Sequence, residues 1–284
     1  PIEKILVGVG SDEAIDLLIR IFCIPGVDAI MTTPPTYGMY KVCAKINNVE
    51  VVNVPLTPTF DLQVDQMIET AQNNHHIKLI FVCSPGNPTC KTINKDNIRK
   101  LANACADHAL IVVDEAYIDF CDPEMSTMDL VRGDDDTALP NVCILQTLSK
   151  AFGLAALRCG FLFAARDVIQ LMNNVKAPYN INGLTSHAAI NAFGSVDIVR
   201  TNVNSLIQQR RSVMAALQQL SCVEYIYPSD SNFILFRLTS QYDAETMYKI
   251  MADRGIVTRY RGNELHCHNC IRVTVGTEQE NKAF

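Results

Sequence analysis

The chain has 284 residues, 48% of them hydrophobic and 19% charged, with a net charge of −6. These are ordinary globular values, and the length suits one large domain and one smaller domain. The negative charge argues against a nucleic-acid or membrane-surface partner bound by a basic face, and no stretch resembles the roughly 20 apolar residues of a membrane span.

The first part of the chain alternates between strand-like and helix-like segments. SDEAIDLLIRIF and NKDNIRKLANACADH are predicted helices, and the predicted strands are DAIMTTPP, EVVNVP, KLIFVCSP, LIVVDEAY, VCILQTLS and CGFLFAA. The strand candidates are apolar throughout, which is typical of strands covered on both faces. Strands and helices that alternate in this way predict an α/β domain with a mainly parallel sheet.

After KAPYNIN the pattern changes. A long helix is predicted over roughly 185–220, followed by the strand NFILFRL, the helix DAETMYKIMADRG and the strands GIVTRYRG and NCIRVTVGT. These last strands alternate in polarity, so we predict a smaller α+β domain. The predicted division is 1–180 for the large domain and 181–284 for the small one.

Polar side chains directly follow three of the apolar strands. They are Asn87 in SPGNPT, Asp114 and Tyr117 in VVDEAY, and Ser149 and Lys150 in QTLSK. In open α/β sheets, ligands bind beyond the carboxyl ends of the strands, so these side chains are expected to share one pocket. Taken alone, Lys150 would be a surface residue. The structural alternative for Asp114 is an acid that caps the next turn.

Two further stretches have both a ligand-binding and a structural interpretation. Gly10, Ser11 and Asp12 stand at a helix start, where free N–H groups bind phosphate but where ordinary caps are also common. Tyr37 follows a strand and could stack on a ligand or simply pack. LIVVDEAY also fits a nucleotide hydrolase, but the chain lacks the GxxxxGK[ST] loop of that class.

Together these groups suit pyridoxal phosphate. This cofactor needs a lysine for a Schiff base, a carboxylate at its ring nitrogen, donors to its ring oxygen, a flat group against the ring and an anion site. The residues for these roles, in turn, are Lys150; Asp114; Tyr117 with Asn87; Tyr37; and Gly10, Ser11, Ser149 and Arg158.

The chain resembles the aspartate-aminotransferase-type, fold type I enzymes that use pyridoxal phosphate. The motifs are GVGSDE, PPTYGMY, SPGNPT, VVDEAYIDF, TLSKAFGLAALRCGF, KAPYNIN and RGNELHCHNCIRVTVGT. PPTYGMY and RVTVGT point to the narrower family of histidinol-phosphate aminotransferases. The resemblance implies the cofactor roles given above, with Asp12 in the cofactor site. It also implies that Arg259 and Arg272 hold the anionic end of the substrate.

The activity that the resemblance implies is amino transfer between L-glutamate and imidazole-acetol phosphate, which gives L-histidinol phosphate and 2-oxoglutarate in histidine biosynthesis. It also implies a homodimer. An aromatic aminotransferase or a threonine-phosphate decarboxylase would share every cofactor residue. A cofactor-binding regulator would normally join a DNA-binding module, and none is visible.

The sequence departs from the family pattern in two ways. Cys90 follows SPGNPT where the family usually has glycine, so a differently shaped loop is expected. Against the family pattern, the chain is also expected to lack the N-terminal segment, which contributes a tyrosine to the neighbouring subunit's site, and to have a shortened C-terminal helix. Whether a leader sequence has been removed is left open.

The cysteines are numerous but show no pairing pattern. Eleven are scattered along the chain, which indicates free thiols in a reducing compartment and hence the cytoplasm. The cluster HCHNC over 266–270 has one CxxC and no second pair. That is a weak zinc pattern, and no metal is expected.

Overall fold

The computed structural model describes residues 1–132 and 138–284. Its larger sheet has seven strands in the order β1-β7-β6-β5-β4-β2-β3. The strands are β1 Ile5–Val9, β2 Ala29–Thr32, β3 Glu50–Asn53, β4 Ile77–Cys83, β5 Leu110–Asp114, β6 Val142–Thr147 and β7 Cys159–Phe163. Strand β7 runs antiparallel to β1 and β6, and the other pairs are parallel. The expected α/β fold with a mainly parallel sheet is confirmed.

Helices cover both faces of this sheet. Helices α1 (Gly10–Phe22), α2 (Met39–Ile46) and α6 (Arg166–Val175) share one buried apolar cluster, and α3 (Val64–Asn73) and α4 (Lys95–Ala104) share the other. The strands between them are therefore buried on both sides, which is why the predicted runs are apolar throughout. Helix α5, Asp129–Arg132, is a single short turn beside β6.

The second sheet has four antiparallel strands in the order β10-β11-β9-β8. The strands are β8 Val223–Ile226, β9 Phe233–Leu238, β10 Arg259–Tyr260 and β11 Cys270–Thr274, and the helices are α7 Gly183–Phe193, α8 Val196–Leu217, α9 Ala244–Asp253 and α10 Glu278–Ala283. Helix α8 packs Val203 into the core beside the larger sheet and Val213 into the core of the smaller sheet. The domain division at residue 181 stays a prediction.

The structure differs from the predicted elements in places. The long helix expected over 185–220 is two helices, α7 and α8, separated at Gly194 and Ser195. Strand β10 has only two residues, although GIVTRYRG predicted a longer strand. Strand β1, which the apolar-run criterion did not identify, lies at the sheet edge and is only partly buried. None of the helices in the described ranges is long and apolar enough to cross a membrane.

The register of the larger sheet brings the predicted polar residues together. Asp114 at the end of β5 is opposite Cys83 of β4 and Leu145 of β6. Parallel strands end at the same edge, so the loops that carry Asn87 and Lys150 leave the sheet beside Asp114.

Candidate active site

A cavity of about 370 Å³ lies at this edge of the sheet. Its lining includes every predicted site residue except Gly10 and Arg259: Ser11, Asp12, Tyr37, Asn87, Asp114, Tyr117, Ser149, Lys150, Arg158 and Arg272. Cys83, Ala116, Thr147, Ala155 and Arg261 complete it. The side chains come from segments far apart in the sequence, and the fold collects them in one place.

Asp114 is a buried carboxylate that is held by two donors. The phenol of Tyr40 donates to Oδ2 at 2.7 Å, and the backbone N–H of Ala116 donates to Oδ1 at 3.1 Å. Asp114 is 3% exposed. Burial raises the pKa of Asp114, and the bond from Tyr40 opposes that shift. The sequence pattern did not predict this contact of Tyr40.

Lys150 lies in the loop after β6, with its amine 5.2 Å from the centre of the Tyr117 ring. The side chain opens onto the cavity, yet the protein around its amine limits hydration. This desolvation lowers the pKa of Lys150, and the positive charge of Arg272 lowers it further. Burial raises the pKa of Tyr117 to about 12. The cavity therefore combines an amine that loses its proton more easily than usual with a phenol that stays protonated.

The start of α1 forms one end of the cavity. Its first N–H, from Gly10, donates to the carbonyl of Arg158 at 2.9 Å, so Gly10 supports the wall without lining it. The guanidinium of Arg158 contacts Asp12 at 3.2 Å, and the Tyr37 phenol donates to the other Asp12 oxygen at 3.1 Å. Ser149 Oγ lies 2.9 Å from the Thr147 hydroxyl. These hydroxyls, a helix N-terminus and a guanidinium form a suitable anion site.

Gly160 makes this arrangement possible. A Cβ at Gly160 would lie 2.4 Å from both the carbonyl carbon of Gly10 and the backbone nitrogen of Ser11. Only a residue without a side chain lets β7 pass so close to the first turn of α1.

The opposite end of the cavity contains two arginines. Arg272 of β11 donates to the Asn87 side chain at 2.6 Å, and its guanidinium lies 4.5 Å from the centre of the Phe233 ring. Arg261 also lines the cavity, and the Nε atoms of both arginines are buried without a hydrogen-bond partner among the residues that the structure describes. Among the ion pairs within 1–132 and 138–284, none includes Arg261 or Arg272.

Arg259, which was predicted with Arg272 to bind the substrate, does not line the cavity. It pairs with Arg272 across β10 and β11, but its side chain is exposed, and its Nη1 donates to the Thr258 carbonyl at 3.2 Å. Arg261 was not among the residues predicted from the sequence. Its signal was the spacing in RYR, since residues two apart in an extended segment point to the same side.

The second acid of VVDEAY has a structural role. Glu115 is 1% exposed and accepts bonds from Ser126, Thr127 and Gln146 outside the cavity. It thereby fixes the loop after the 3₁₀ turn at Pro123–Met125. This arrangement accounts for Glu115 without the nucleotide chemistry that the motif also suggested.

The cysteines are free, as the sequence predicted. Cys267 and Cys270 of HCHNC are buried in the core, and a ring nitrogen of His266 lies 3.2 Å from the Leu56 carbonyl oxygen. Within the described part of the chain, no three His, Cys, Asp or Glu side chains are grouped so as to hold a metal.

Cys90 adopts a conformation that glycine favours. Its φ is 67°, and its side chain is fully buried. Its carbonyl accepts from the backbone N–H of Asp230 at 2.8 Å and from the Ser231 hydroxyl at 3.3 Å, which ties the loop after Asn87 to the segment before β9. The expected difference in loop shape stays a prediction.

Comparisons with solved structures agree with this fold. A histidinol-phosphate aminotransferase from Clostridium acetobutylicum superposes with a TM-score of 0.89 at 22% identity, over 99% of this chain and 81% of that one. A Sinorhizobium meliloti histidinol-phosphate aminotransferase in complex with pyridoxal-5'-phosphate gives a TM-score of 0.87 at 21% identity, over 99% and 74%. At such identities the likeness concerns the fold.

Comparisons of sequence are more specific. The family model for aminotransferase class I and II matches residues 1–284. Histidinol-phosphate aminotransferases from Cytophaga hutchinsonii and Schizosaccharomyces pombe are each 44% identical to this chain. The matches cover 99% and 98% of this chain and 77% and 74% of those proteins. The chain therefore belongs to the class I and II aminotransferases and, within them, to the histidinol-phosphate aminotransferase family.

Proposed function

We propose that this protein uses pyridoxal phosphate to transfer an amino group between L-glutamate and imidazole-acetol phosphate, giving L-histidinol phosphate and 2-oxoglutarate. The main support is one cavity that combines Lys150, a buried Asp114 and two arginines that form no ion pair with a carboxylate of the described residues. The relatives at 44% identity are named for the same reaction. The protein thus acts in histidine biosynthesis.

The residues of the cavity fit this cofactor. When bound, pyridoxal phosphate supplies an electron sink for the carbon that carries the amino group. Asp114 would hold a proton on the ring nitrogen, and Tyr117 and Asn87 would hold the ring oxygen. Tyr37 would lie against the ring, while Ser11, Ser149 and Arg158 would bind the phosphate, with Gly10 and Asp12 supporting that end.

Lys150 is the proposed catalytic base and acid. Its lowered pKa increases the share of neutral amine near neutral pH, and only that form can attack a carbonyl carbon or accept a proton. Its Nζ would take the proton from the substrate carbon that bears the amino group and later return one. Tyr117, whose phenol stays protonated, lies under this amine and limits where it can point.

The two arginines are proposed to bind the far end of each substrate. Glutamate ends in a carboxylate and the imidazole substrate in a phosphate, so one site must accept both anions. A guanidinium remains charged and can bind either the carboxylate or the phosphate with two N–H donors. Arg272 is held by Asn87 and Phe233. Arg261 faces the same cavity with a buried Nε that has no hydrogen-bond partner in the described part of the chain. Arg259 would add charge from the neighbouring strand.

We also propose that the protein is a homodimer, and α7 supports this. The helix, GLTSHAAINAF, has no charged residue other than a titratable histidine, yet only Thr185 and Ala189 in it are buried. Leu184 is 85% exposed and Ile190 69% exposed. Apolar surface of this kind marks an interaction site. The free thiols support a reducing compartment, and the cytoplasm is the proposed location.

Reduction of the purified protein with borohydride after loading with pyridoxal phosphate tests the proposal. Peptide mapping should find the label on Lys150, and Lys150→Ala should lose the label and the reaction with glutamate together. Lys91→Ala is the control, because Lys91 pairs with Asp61 outside the cavity. A label on another lysine would contradict the assignment.

A panel of substrates separates the sister reactions. The proposal expects histidinol phosphate to be a far better donor than histidinol or phenylalanine, and threonine phosphate to release no carbon dioxide. If phenylalanine equals histidinol phosphate, the aromatic aminotransferase is the better assignment.

A further inference from the structure

Tyr40 lies outside the cavity lining, next to Asp114. It is fully buried in the first turn of α2, and its ring stacks on that of Phe81 with a centroid distance of 4.7 Å and an angle of 16°. The rings of Tyr40 and Tyr37 lie edge to face, with their centroids 5.6 Å apart. In this packing the Tyr40 hydroxyl donates to Asp114 Oδ2 at 2.7 Å.

We propose that Tyr40 is a positioning residue for the reaction: by donating to Oδ2, it holds the Asp114 carboxylate ionised and oriented toward the cofactor ring nitrogen. This inference rests on the proposed function. Tyr40 does not line the cavity, so it acts through Asp114 and not on the substrate.

Asp114 needs such a donor because of its buried environment. A carboxylate that is 3% exposed is poorly solvated, and burial alone favours its neutral form. A neutral carboxyl group would not stabilise a protonated pyridine. The phenol supplies a short donor to the ionised form, while the Ala116 N–H supplies the second at 3.1 Å. Two donors on different oxygens also fix the carboxylate plane.

Other ionisable groups face the same carboxylate. They are Asp12 of α1, Tyr37 before α2, Cys83 of β4, Tyr117 after β5 and Lys150 after β6. Among the described residues, the hydrogen bonds to the Asp114 side chain come from Tyr40 and the Ala116 backbone. Tyr40 is therefore the side chain whose hydroxyl can be removed to test the effect on Asp114.

The test is Tyr40→Phe, which keeps the ring and its stacking. Holoenzyme is prepared with ¹⁵N-labelled pyridoxal phosphate, and the nitrogen resonance and the cofactor dissociation constant are measured. We expect the resonance to move toward that of an unprotonated pyridine and the cofactor to bind roughly ten- to a hundredfold more weakly, the range for losing a hydrogen bond to a charged group.

Tyr227→Phe is the matched control. Tyr227 is 7% exposed and its hydroxyl lies 3.4 Å from the His266 carbonyl oxygen, so it too loses a buried hydroxyl, but away from the cavity. It should leave the nitrogen resonance unchanged. An unchanged resonance in folded Tyr40→Phe, with parental cofactor affinity, would overturn the inference while the proposed function stands. A parent protein that binds no cofactor would overturn both.

Two further measurements test whether Tyr40 acts through Asp114. In an Asp114→Ala background, Tyr40→Phe should cause no additional loss of cofactor affinity, because the partner is already gone. An equal loss in both backgrounds would contradict the inference. Should Tyr40→Phe fail to fold, the hydroxyl proton of Tyr40 is followed by NMR in the wild-type protein and in Asp114→Ala. The resonance of this proton should shift in Asp114→Ala. An unchanged resonance would show that Tyr40 does not donate a hydrogen bond to Asp114.

Discussion

At the scale of single residues, the cavity contains a buried acid and an accessible base, and loss of hydration moves their pKa values in opposite directions. The pKa of Asp114 is raised and that of Lys150 is lowered, so both shifts favour the uncharged form. For Lys150 the neutral amine is the reactive form. For Asp114 the ionised form is required, so the protein supplies Tyr40 and the Ala116 N–H as donors. The same loss of hydration helps one role and opposes the other.

Asp114→Asn should weaken the reaction but stabilise the protein without cofactor. The half-reaction with glutamate should slow by about two orders of magnitude or more in rapid-mixing absorbance measurements, because the ring nitrogen loses its counter-charge. The raised pKa means that the ionised carboxylate destabilises the fold above the ordinary carboxyl pKa of about 4. The apoprotein's melting temperature should therefore rise at neutral pH, and the gain should vanish as pH falls toward 4.

Glu50→Gln is the control for this prediction. Glu50 is exposed on the edge strand β3, so the variant removes a negative charge without relieving burial. A melting temperature that falls in Asp114→Asn at neutral pH, or a half-reaction at the parental rate, would contradict the assignment of Asp114.

Arg261→Gln should reduce the specificity constants for glutamate and for histidinol phosphate by roughly ten- to a hundredfold, the loss expected for a charge-assisted contact. The absorption spectrum of the bound cofactor should not change. Arg272→Gln should cause a similar loss. Arg272→Lys should retain only part of the parental specificity constant, because an ammonium lacks the planar fork. Arg261 is the cleaner test, since Arg272 also holds Asn87.

Arg259→Gln is the matched comparison for the arginines. Its exposed side chain lies outside the cavity lining, so we expect a smaller loss than in Arg261→Gln. A larger loss in Arg259→Gln would show that the exposed arginine, and not Arg261, binds the substrate anion.

At the scale of elements, the site depends on how closely α1 approaches β7. The first turn of α1 offers its N–H groups to the cavity only because Gly160 leaves space beside Gly10 and Ser11. Arg158, with a φ of 51°, turns the chain so that its carbonyl accepts from Gly10. The anion site is therefore a contact between two elements.

Gly160→Ala should damage this contact. The new methyl group would lie 2.4 Å from backbone atoms, which have no rotamer by which to move away. We expect the free energy of unfolding to fall by about 1–3 kcal/mol in denaturant titrations, as for overpacked cores, and the cofactor to dissociate faster. Gly183→Ala at the start of α7 meets no atom within 4 Å and should be nearly neutral. Equal stabilities for the two variants would contradict this account.

At the scale of the whole molecule, α7 has an apolar face that a single subunit leaves exposed to solvent. This helix packs near the loop that carries Lys150, since Thr185 donates to the Leu157 carbonyl at 3.2 Å and Phe193 contacts Phe152. A second subunit that covers α7 would also stabilise the loop around the active-site lysine. Dimerisation and catalysis would then be linked.

Ile190→Glu should shift the protein from dimer to monomer in sedimentation experiments at micromolar concentration, because it places a charge on the proposed interface. Cofactor retention should weaken as well. Ile46→Glu on α2 is the matched control, since Ile46 is 71% exposed and Ile190 69%. A parent protein that is monomeric and fully active would contradict the proposed homodimer.

The sequence by itself determined the parts of the site that depend on local order along the chain. Strands buried on both faces are apolar throughout and run parallel, so the polar residues after them must meet at one edge. This order along the chain predicts that Asn87, Asp114 and Lys150 lie together, and all three line the cavity. The helix start near Gly10 was also predicted, but the structure shows no side-chain cap there, and Val9 is the residue at the N-cap.

Only the tertiary structure decided the contacts between distant segments. Tyr40 and Asp114 are 74 residues apart, and Asn87 and Arg272 are 185 apart. No periodicity relates such pairs, because each results from the packing of two elements whose relative position the local sequence does not encode. The choice between Arg259 and Arg261 is similar, since it depends on where β10 ends. The tertiary packing therefore determines which side chains are partners in the site. The hydrophobic pattern of the sequence determines the strands and helices that carry them.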